Sequence, residues 1–584
     1  MGREIRRIRI DRLSSRNNVF DEIVFRDGVN LILGEKYDDS TSRGRKTNGV
    51  GKSMCVEFLD FGFLCDYERS RIVRIPEDIV PLDEEIILDL TIGGESVTIR
   101  RTRKEHDRPV IVRNGKETKF DKLPDARDYL TGLVFGELNG KDVPSLRNLL
   151  SVLIRDERSE FSDILKCHDL SKRIPDDLAP HLYLLGISLD CYRRVLDTIK
   201  EIEKTGQVLG KAKKELTLNG MKKMADVKAE YNEMEAELGQ LEEAVDSFRS
   251  NDAFSSMENE IVDLENMLDQ LRQRQKVLKR EYEKIKSLPQ PEMIDDSEIE
   301  LVYDQYRRRI GSAVVRSLSE TVGFKNKVEE FQRVLVNQKA RELQEQIAGI
   351  SEQLRILDEQ YAEKLRIIDK KGVLQNLKTG LRIYESRRKE TIRTRVLFEE
   401  YDRYERQKRH LKLKKEQELY DIDVAITTLS SELKSFTQTI LDIHEAIMAN
   451  RECSFDIKAK EGKSRTPIDI SLRIYDDGSH SVDRTKVFIY DMALMFNDYT
   501  RQRHPLFLVH DNIFDVDQDT LVQCLNYAYR QEEHYPDFQY ILTLNRDKIE
   551  NEERRNQIKM NIDEHKIAVF TKAEKFLKKD YQEK

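Results

Sequence analysis

The segment Asn48-Gly49-Val50-Gly51-Lys52-Ser53 decides how this sequence is interpreted. It follows the apolar run VNLILG, typical of a strand, and precedes SMCVEFLDFGFLC, typical of a helix. A glycine-containing loop between a strand and a helix presents backbone N–H groups to phosphate, while a lysine and a hydroxyl reach the β/γ-phosphates and Mg²⁺. The segment therefore predicts a nucleotide site in which Lys52 and Ser53 contact ATP and Mg²⁺.

The loop departs from the usual G-x-x-x-x-G-K-[ST] spacing, because Lys46 stands where the first glycine is expected. Gly34, at the end of VNLILG, supplies that glycine if residues 35–47 are inserted within the loop. A purely structural turn is the alternative. The predicted nucleotide-binding residues of the loop are Gly34, Asn48, Gly49, Val50, Gly51, Lys52 and Ser53.

A second apolar strand ending in an acidic residue is needed to hold Mg²⁺ in such a site. The run LFLVHD ends in Asp511, so we predict Ser53 and Asp511 as metal ligands, with an ordinary strand end as the alternative. The next residue is Asn512, whose amide cannot accept a proton. Hydrolysis is therefore expected to be slow, or Asp515 or Asp517 acts instead.

Composition limits the remaining possibilities. Of the 584 residues, 36% are charged and none is Trp, and the mean hydropathy is -0.66, which suits long solvated helices. The net charge of -8 means that any nucleic-acid contact must come from local basic patches. The six cysteines form no C-x-x-C pair, which argues against a zinc site. The sequence shows no secretory signal or membrane span, so we expect a cytoplasmic protein.

Three regions differ in their hydrophobic pattern. Residues 1–190 and 449–584 contain short β-type runs, whereas residues 191–448 carry two runs of a/d heptads, typical of a coiled coil. The segment SLPQPEMIDDSE at 287–298 interrupts the heptads with two prolines, and we expect the break to lie near 287–325. The predicted fold is an α/β P-loop head built from two lobes and interrupted by a long antiparallel coiled-coil hairpin. A parallel dimerisation coil is the alternative.

Half an ATPase head, a hairpin and the other half together resemble the SMC and RecN class of ABC-type ATPases. The split phosphate loop and the segments IYDDGSHSVDRTKVFIYDMALM and FLVHDNIFD are more narrowly similar to the SMC-like subunits of bacterial Lamassu and ABC three-component defence systems. The resemblance implies two heads that sandwich ATP, with a signature loop at residues 478–484 against the partner head's γ-phosphate. Ser479 or Ser481 would donate to that phosphate, whereas a surface turn with Ser481 or Asp483 as a helix cap is the alternative.

The resemblance also points to two weaker positions. A glutamine of the class is expected near residue 154, where Arg155 or Asp156 would either sense nucleotide or form a surface ion pair. The class places a histidine after its last core strand, and Asn545 stands there in this chain. An asparagine can hydrogen-bond phosphate but does not titrate, and a simple turn residue is an equal alternative.

Two clusters of arginines are candidate contacts for DNA. Arg7 and Arg9 share one face of a predicted strand, and Arg100, Arg101 and Arg103 form the second cluster. Such groups could neutralise phosphates without reading sequence, although solvated strand faces carry the same pattern.

Motifs and resemblance together predict an SMC-like ATPase that binds ATP and Mg²⁺, dimerises through its heads and senses or clamps double-stranded DNA. It would control an accessory or nuclease-type effector subunit in bacterial defence against phage or plasmids, because no effector motif is visible in the chain itself. A RecN-like recombination or repair ATPase is one alternative, and a non-hydrolysing coiled-coil scaffold is another.

Overall fold

The computed structural model describes residues 5–36, 49–136, 142–171, 177–249, 258–287, 318–368, 373–460, 465–474, 480–514, 518–549 and 552–582. Its strands are β1 (Ile8–Ser15), β2 (Ile23–Val24), β3 (Gly28–Gly34), β4 (Glu85–Ile92), β5 (Glu95–Thr102), β6 (Val110–Arg113), β7 (Lys116–Lys119), β8 (Ile154–Arg155), β9 (Cys453–Ala459), β10 (Ile468–Ile474), β11 (Phe507–Asp511), β12 (Gln539–Asn545) and β13 (Lys566–Phe570). Its helices are α1 (Lys52–Gly62), α2 (Leu123–Phe135), α3 (Leu146–Leu153), α4 (Ala179–Leu184), α5 (Leu189–Leu216), α6 (Met224–Arg249), α7 (Glu258–Lys286), α8 (Leu318–Ile368), α9 (Val373–Thr428), α10 (Ser430–Met448), α11 (His480–Phe496), α12 (Gln518–His534), α13 (Glu552–Gln557) and α14 (Ile562–His565).

The chain divides into two compact units. One contains Met1–Gln207 together with Arg406–Lys584, and the other contains Val208–Glu405. The divisions fall within helices α5 and α9, rather than at residues 190 and 448 where the change of sequence pattern placed them. A helix that passes from one unit into the next keeps its periodicity, so the pattern does not mark the point of division.

A parallel five-stranded sheet, in the order β13-β3-β12-β11-β8, forms the centre of the first unit. Strands β3 and β8 come from the N-terminal segment and the other three from the C-terminal segment, so neither segment builds the sheet alone. Strands β3, β11 and β12 are buried along their whole length, as expected for continuous apolar runs in a parallel sheet. Parallel alignment brings the carboxyl ends of these strands to one edge, where ligands of open α/β sheets usually bind.

An antiparallel sheet, in the order β2-β1-β4-β5-β6-β7, completes the N-terminal part of this unit. Its strand β4 alternates between buried and half-buried residues, so one face of the strand lies in the core. Helix α1 contacts strands of both sheets, including β3, β4 and β11, and most of its residues are therefore buried. The helix that starts at the glycine loop is thus fixed from two sides.

Helices α7 and α8 of the second unit pack against each other in opposite directions. Glu260 pairs with Lys364, and Arg272 lies 2.9 Å from Asp358, so the partner number falls as the residue number rises. Their buried seam contains Ile261, Leu268, Ile350, Leu354 and Tyr361, which are heptad positions of the sequence. Most of the predicted break near 287–325 lies outside the described residues, since these omit 288–317.

Each described helix is too short or too polar to cross a lipid bilayer.

Candidate nucleotide-binding site

Glycines shape the loop that leads into helix α1. Gly49 and Gly51 have φ angles of 74° and 106°, in the left-handed region that favours glycine. A Cβ on Gly51 would lie 2.6 Å from the Cβ of Phe576, so even a methyl group would collide there. No side chain caps the start of α1, which leaves the N–H groups of its first turn for a ligand.

Lys52 is the first residue of α1 and is largely buried. Its ammonium donates a hydrogen bond to the side-chain oxygen of Asn545 at the end of β12. Burial lowers the pKa of Lys52, while the nearby carboxylates of Asp511, Glu157 and Asp547 act in the opposite direction. A buried ammonium among these groups is placed to receive an anionic ligand.

Asp511 ends strand β11 and is 1% exposed. The hydroxyl of Thr543 donates to its Oδ1 over 2.6 Å, and the Ser53 hydroxyl also donates to this carboxylate. Burial raises the pKa of Asp511 to about 6, although both hydroxyl bonds oppose that shift.

The pair of Ser53 and Asp511 fits an Mg²⁺ ion held jointly with phosphate. One hydroxyl and one carboxylate meet at the edge of the sheet, and these are the ligands that the protein usually supplies to Mg²⁺ in such a site. Among the described residues there is no group of three or more His, Cys, Asp or Glu side chains suited to hold a metal alone. Phosphate oxygens and water would therefore supply the remaining ligands.

A cavity of about 440 Å³ lies in front of the loop. The sequence motifs predict its residues at 49–53 and Asn512 as parts of a nucleotide site, but not the others. The remaining lining residues are Met54, Arg71, Glu157, Lys575, Leu577, Lys579 and Tyr581. No motif marks these positions, because they reach the cavity through tertiary packing alone.

The C-terminal segment 571–582, here called the strap, packs directly on the loop. The Phe576 N–H donates to the Val50 carbonyl over 3.2 Å. The Phe576 ring stacks on Phe20 with centroids 4.6 Å apart and meets Phe58 edge-on. Lys572 reaches the carbonyl of Gly49 at 3.5 Å. The strap is thus anchored by aromatic packing and presents lysines beside the loop.

Arg155 does not line the cavity. Its side chain is fully buried, and its Nε lies 2.7 Å from Oδ2 of Asp491 in α11. The same carboxylate oxygen accepts a hydrogen bond from His510 over 3.0 Å. The surface ion pair considered as an alternative for Arg155 is therefore corrected to a buried one. Asp156 instead caps the turn Glu157–Ser159 by accepting the N–H of Arg158.

The remaining predicted contacts differ in what the structure describes of them. Gly34 ends β3 and pairs with Asn545 and Phe570, and it is not among the residues that line the cavity. Asn48, Ser479 and Asp515 lie outside the described residues, as does the side chain of Ser481 at the start of α11. The structure does bring Lys52, Ser53, Asp511, Asn512 and Asn545 to one edge of the sheet.

The arginines predicted to contact DNA have partners within the protein. Arg101 is buried and donates to the carbonyls of Phe61, Cys65 and His106, and buried Arg103 donates to those of Ile75 and Val80. The prediction of DNA contact is corrected for these two, because their guanidinium groups face the interior. Arg7, Arg9 and Arg100 remain partly exposed, each within ion-pair distance of a carboxylate.

Comparison with known proteins gives a family model and a number of solved structures, of which two are described below. The model described as "Uncharacterised protein conserved in bacteria (DUF2326)" matches residues 443–581. No curated protein matches the chain.

The first solved structure is an Smc head domain with a coiled coil and joint derived from Pyrococcus yayanosii, at 12% identity and a TM-score of 0.33, with 94% of each chain covered. The second is an Smc head domain with an extended coiled coil bound to the C-terminal domain of ScpA, derived from Pyrococcus furiosus. It has 10% identity and a TM-score of 0.31, with 94% of this chain and 92% of that chain covered.

Proposed function

We propose that this chain binds ATP with Mg²⁺ at the loop 49–53 and hydrolyses it. The observation that carries the proposal is the hydrogen bond between the hydroxyl of Ser53 and the carboxylate of Asp511, beside the ammonium of Lys52. These groups come from opposite ends of the sequence and meet at the carboxyl edge of a parallel sheet. A structural turn alone would not require a buried lysine, a hydroxyl and a buried carboxylate to converge.

Each residue has a specific part in this proposal. Gly49, Val50 and Gly51 present backbone N–H groups to the phosphates, and Lys52 exchanges its bond with Asn545 for one with the β/γ-phosphates. Ser53 and Asp511 would hold the ion. When bound, Mg²⁺ would neutralise part of the phosphate charge, in addition to the cationic side chains of the cavity.

The wider proposal is a cytoplasmic, SMC-like ATPase that dimerises through its heads and senses or clamps double-stranded DNA. It is supported by the resemblance of the segments IYDDGSHSVDRTKVFIYDMALM and FLVHDNIFD, and by the antiparallel heptad seam of α7 and α8. In this role, ATP closes two heads around DNA, and the closed dimer activates an effector subunit during defence against phage or plasmids.

Calorimetric titration with Mg-ATP tests the core of the proposal. Lys52→Ala should weaken binding by about a hundredfold, because it removes a charged hydrogen bond at a buried position. Lys578→Ala is the matched control, since that lysine pairs with Asp21 at 2.6 Å and does not line the cavity. Equal affinity of Lys52→Ala and the unaltered protein would refute nucleotide binding at this loop.

Mass measurement in solution tests the wider proposal. The unaltered chain should form a dimer with ATP and retain DNA in that state, whereas Lys52→Ala should remain a monomer. A mass that does not change with ATP and DNA would favour the scaffold alternative. Sensitivity to DNA breaks after disruption of the gene, without any phage or plasmid phenotype, would favour the repair ATPase.

A further inference from the structure

The residue after the proposed Mg²⁺ ligand leaves the cavity without a base at that position. Asn512 follows Asp511, and its amide cannot accept a proton from water. Its φ angle is 61°, in the left-handed region where asparagine and aspartate are tolerated better than longer side chains. Thr543 accepts the Asn512 N–H over 3.0 Å, and Arg484 donates to its carbonyl over 2.9 Å. The backbone at this position is therefore fixed.

Glu157 brings a carboxylate to the same place from the neighbouring strand. It begins the turn that follows β8, and β8 pairs in parallel with β11, so both strand ends lie at one edge of the sheet. The side-chain Nδ2 of Asn512 donates to Oε1 of Glu157 over 2.7 Å. Both residues line the cavity together with Lys52 and Ser53.

The contact also orients the amide of Asn512. With Nδ2 directed at Glu157, Oδ1 points away from it, and this oxygen is buried without a hydrogen-bond partner in the described part of the chain. The carboxylate of Glu157 is also close enough to Lys52 and Asp511 to act on both electrostatically, so it lies beside the loop 49–53.

We propose that Glu157 is the general base of ATP hydrolysis, an inference that rests on the proposed function. A water beside the carboxylate of Glu157 in the cavity forms a bond from its oxygen to the γ-phosphorus, and the bond from that phosphorus to the β–γ bridging oxygen breaks. Glu157 takes the proton that the water loses. ADP and inorganic phosphate leave, and the proton on Glu157 passes to solvent, which restores the carboxylate.

Turnover and binding of Mg-ATP, measured with and without double-stranded DNA, test this role. Glu157→Gln keeps the shape and the contact with Asn512, so the affinity should stay within about threefold while kcat falls by about a hundredfold, in the range of a lost general base. Glu160→Gln is the matched control, because that exposed residue lies just beyond the same turn and does not line the cavity. It should turn over like the unaltered protein.

A second variant distinguishes a catalytic role of Glu157 from a purely structural one. Adding Asn512→Asp to Glu157→Gln returns a carboxylate to the edge of the sheet with a residue that tolerates the left-handed backbone, and should recover about tenfold in kcat. Unchanged turnover in Glu157→Gln, or a loss of affinity as large as the loss of kcat, would overturn the role of Glu157. So would an unaltered protein that binds ATP but hydrolyses it no faster than Lys52→Ala. Nucleotide affinity unaffected by Lys52→Ala, in contrast, counts against the proposed function itself.

Discussion

Strand β11 ends in two neighbouring ionisable residues whose surroundings differ. His510 faces the core and shares the carboxylate of Asp491 with Arg155, and all three side chains are at most 1% exposed. Asp511 lies at the carboxyl edge of the sheet, beside the start of α1, and accepts hydrogen bonds from the hydroxyls of Ser53 and Thr543. Within the described part of the chain, no guanidinium or ammonium is hydrogen-bonded to Asp511.

The difference separates a buried charge that is compensated within the fold from one that is not. Asp491 has its counter-charge inside the fold, so its burial is compensated before any ligand arrives. Asp511 is equally buried but bonds only neutral donors, and its raised pKa records the remaining cost of burial. A buried carboxylate without a hydrogen-bonded cation is thus a better indicator of a ligand site than burial or charge alone.

Breaking the buried ion pair between Arg155 and Asp491 should have the largest effect on stability. Asp491→Ala leaves Arg155 buried without its partner, and we expect the free energy of unfolding to fall by about 3–5 kcal/mol. Urea unfolding of the whole protein measures the change in the free energy of unfolding. The double variant Arg155→Met with Asp491→Leu should recover most of the loss, because two apolar side chains carry no buried charge. A single variant as stable as the unaltered protein would remove the basis of the comparison.

Asp511→Asn should have the opposite profile. It removes a buried negative charge that lacks a hydrogen-bonded cation, so the free energy of unfolding should stay within about 1 kcal/mol or rise. The affinity for Mg-ATP should nevertheless fall by about tenfold or more, since an amide is a poor ligand for Mg²⁺. Paired urea unfolding and calorimetry check both halves. A loss of stability as large as that of Asp491→Ala would show that the two carboxylates have the same role.

The smallest effect is expected for Lys575, which the strap contributes to the lining of the cavity. Burial and the nearby Lys572 lower the pKa of Lys575, whose ammonium pairs with Asp580. Lys575→Met should weaken Mg-ATP binding by about tenfold, since a charged hydrogen bond to phosphate contributes about 1.5–3 kcal/mol. Lys578→Met should leave the affinity unchanged, because that lysine pairs with Asp21. If both variants bind alike, the strap shapes the loop without contacting the phosphates.

The parts of the molecule that follow local patterns could be predicted from the sequence. Largely apolar runs predict β3, β11 and β12, and the heptads predict the seam of α7 and α8. The loop at 49–53 and the acidic end of β11 were also recognisable, because their spacing is set by the ligand they would hold.

What could not be predicted depends on contacts distant in sequence. Glu157 and the strap lysines carry no motif, and only the order of the parallel strands and the packing of Phe576 bring them to the cavity. Arg101 and Arg103 illustrate the reverse error. Arg101 lies on β5 and Arg103 just after it, in a basic cluster typical of a solvated face, yet both side chains turn inward and bond backbone carbonyls.

The strap gives the order of synthesis a physical meaning. Residues 49–53 leave the ribosome early, but Asp511, the strands β12 and β13, and the aromatic anchor at Phe576 follow only after the whole helical unit has been made. A nascent chain that stops within the helices contains the loop 49–53 but lacks both Asp511 and the strap. Nucleotide bound as proposed would therefore not stabilise the early folding of the N-terminal segment, and its binding would require that synthesis has passed the strap.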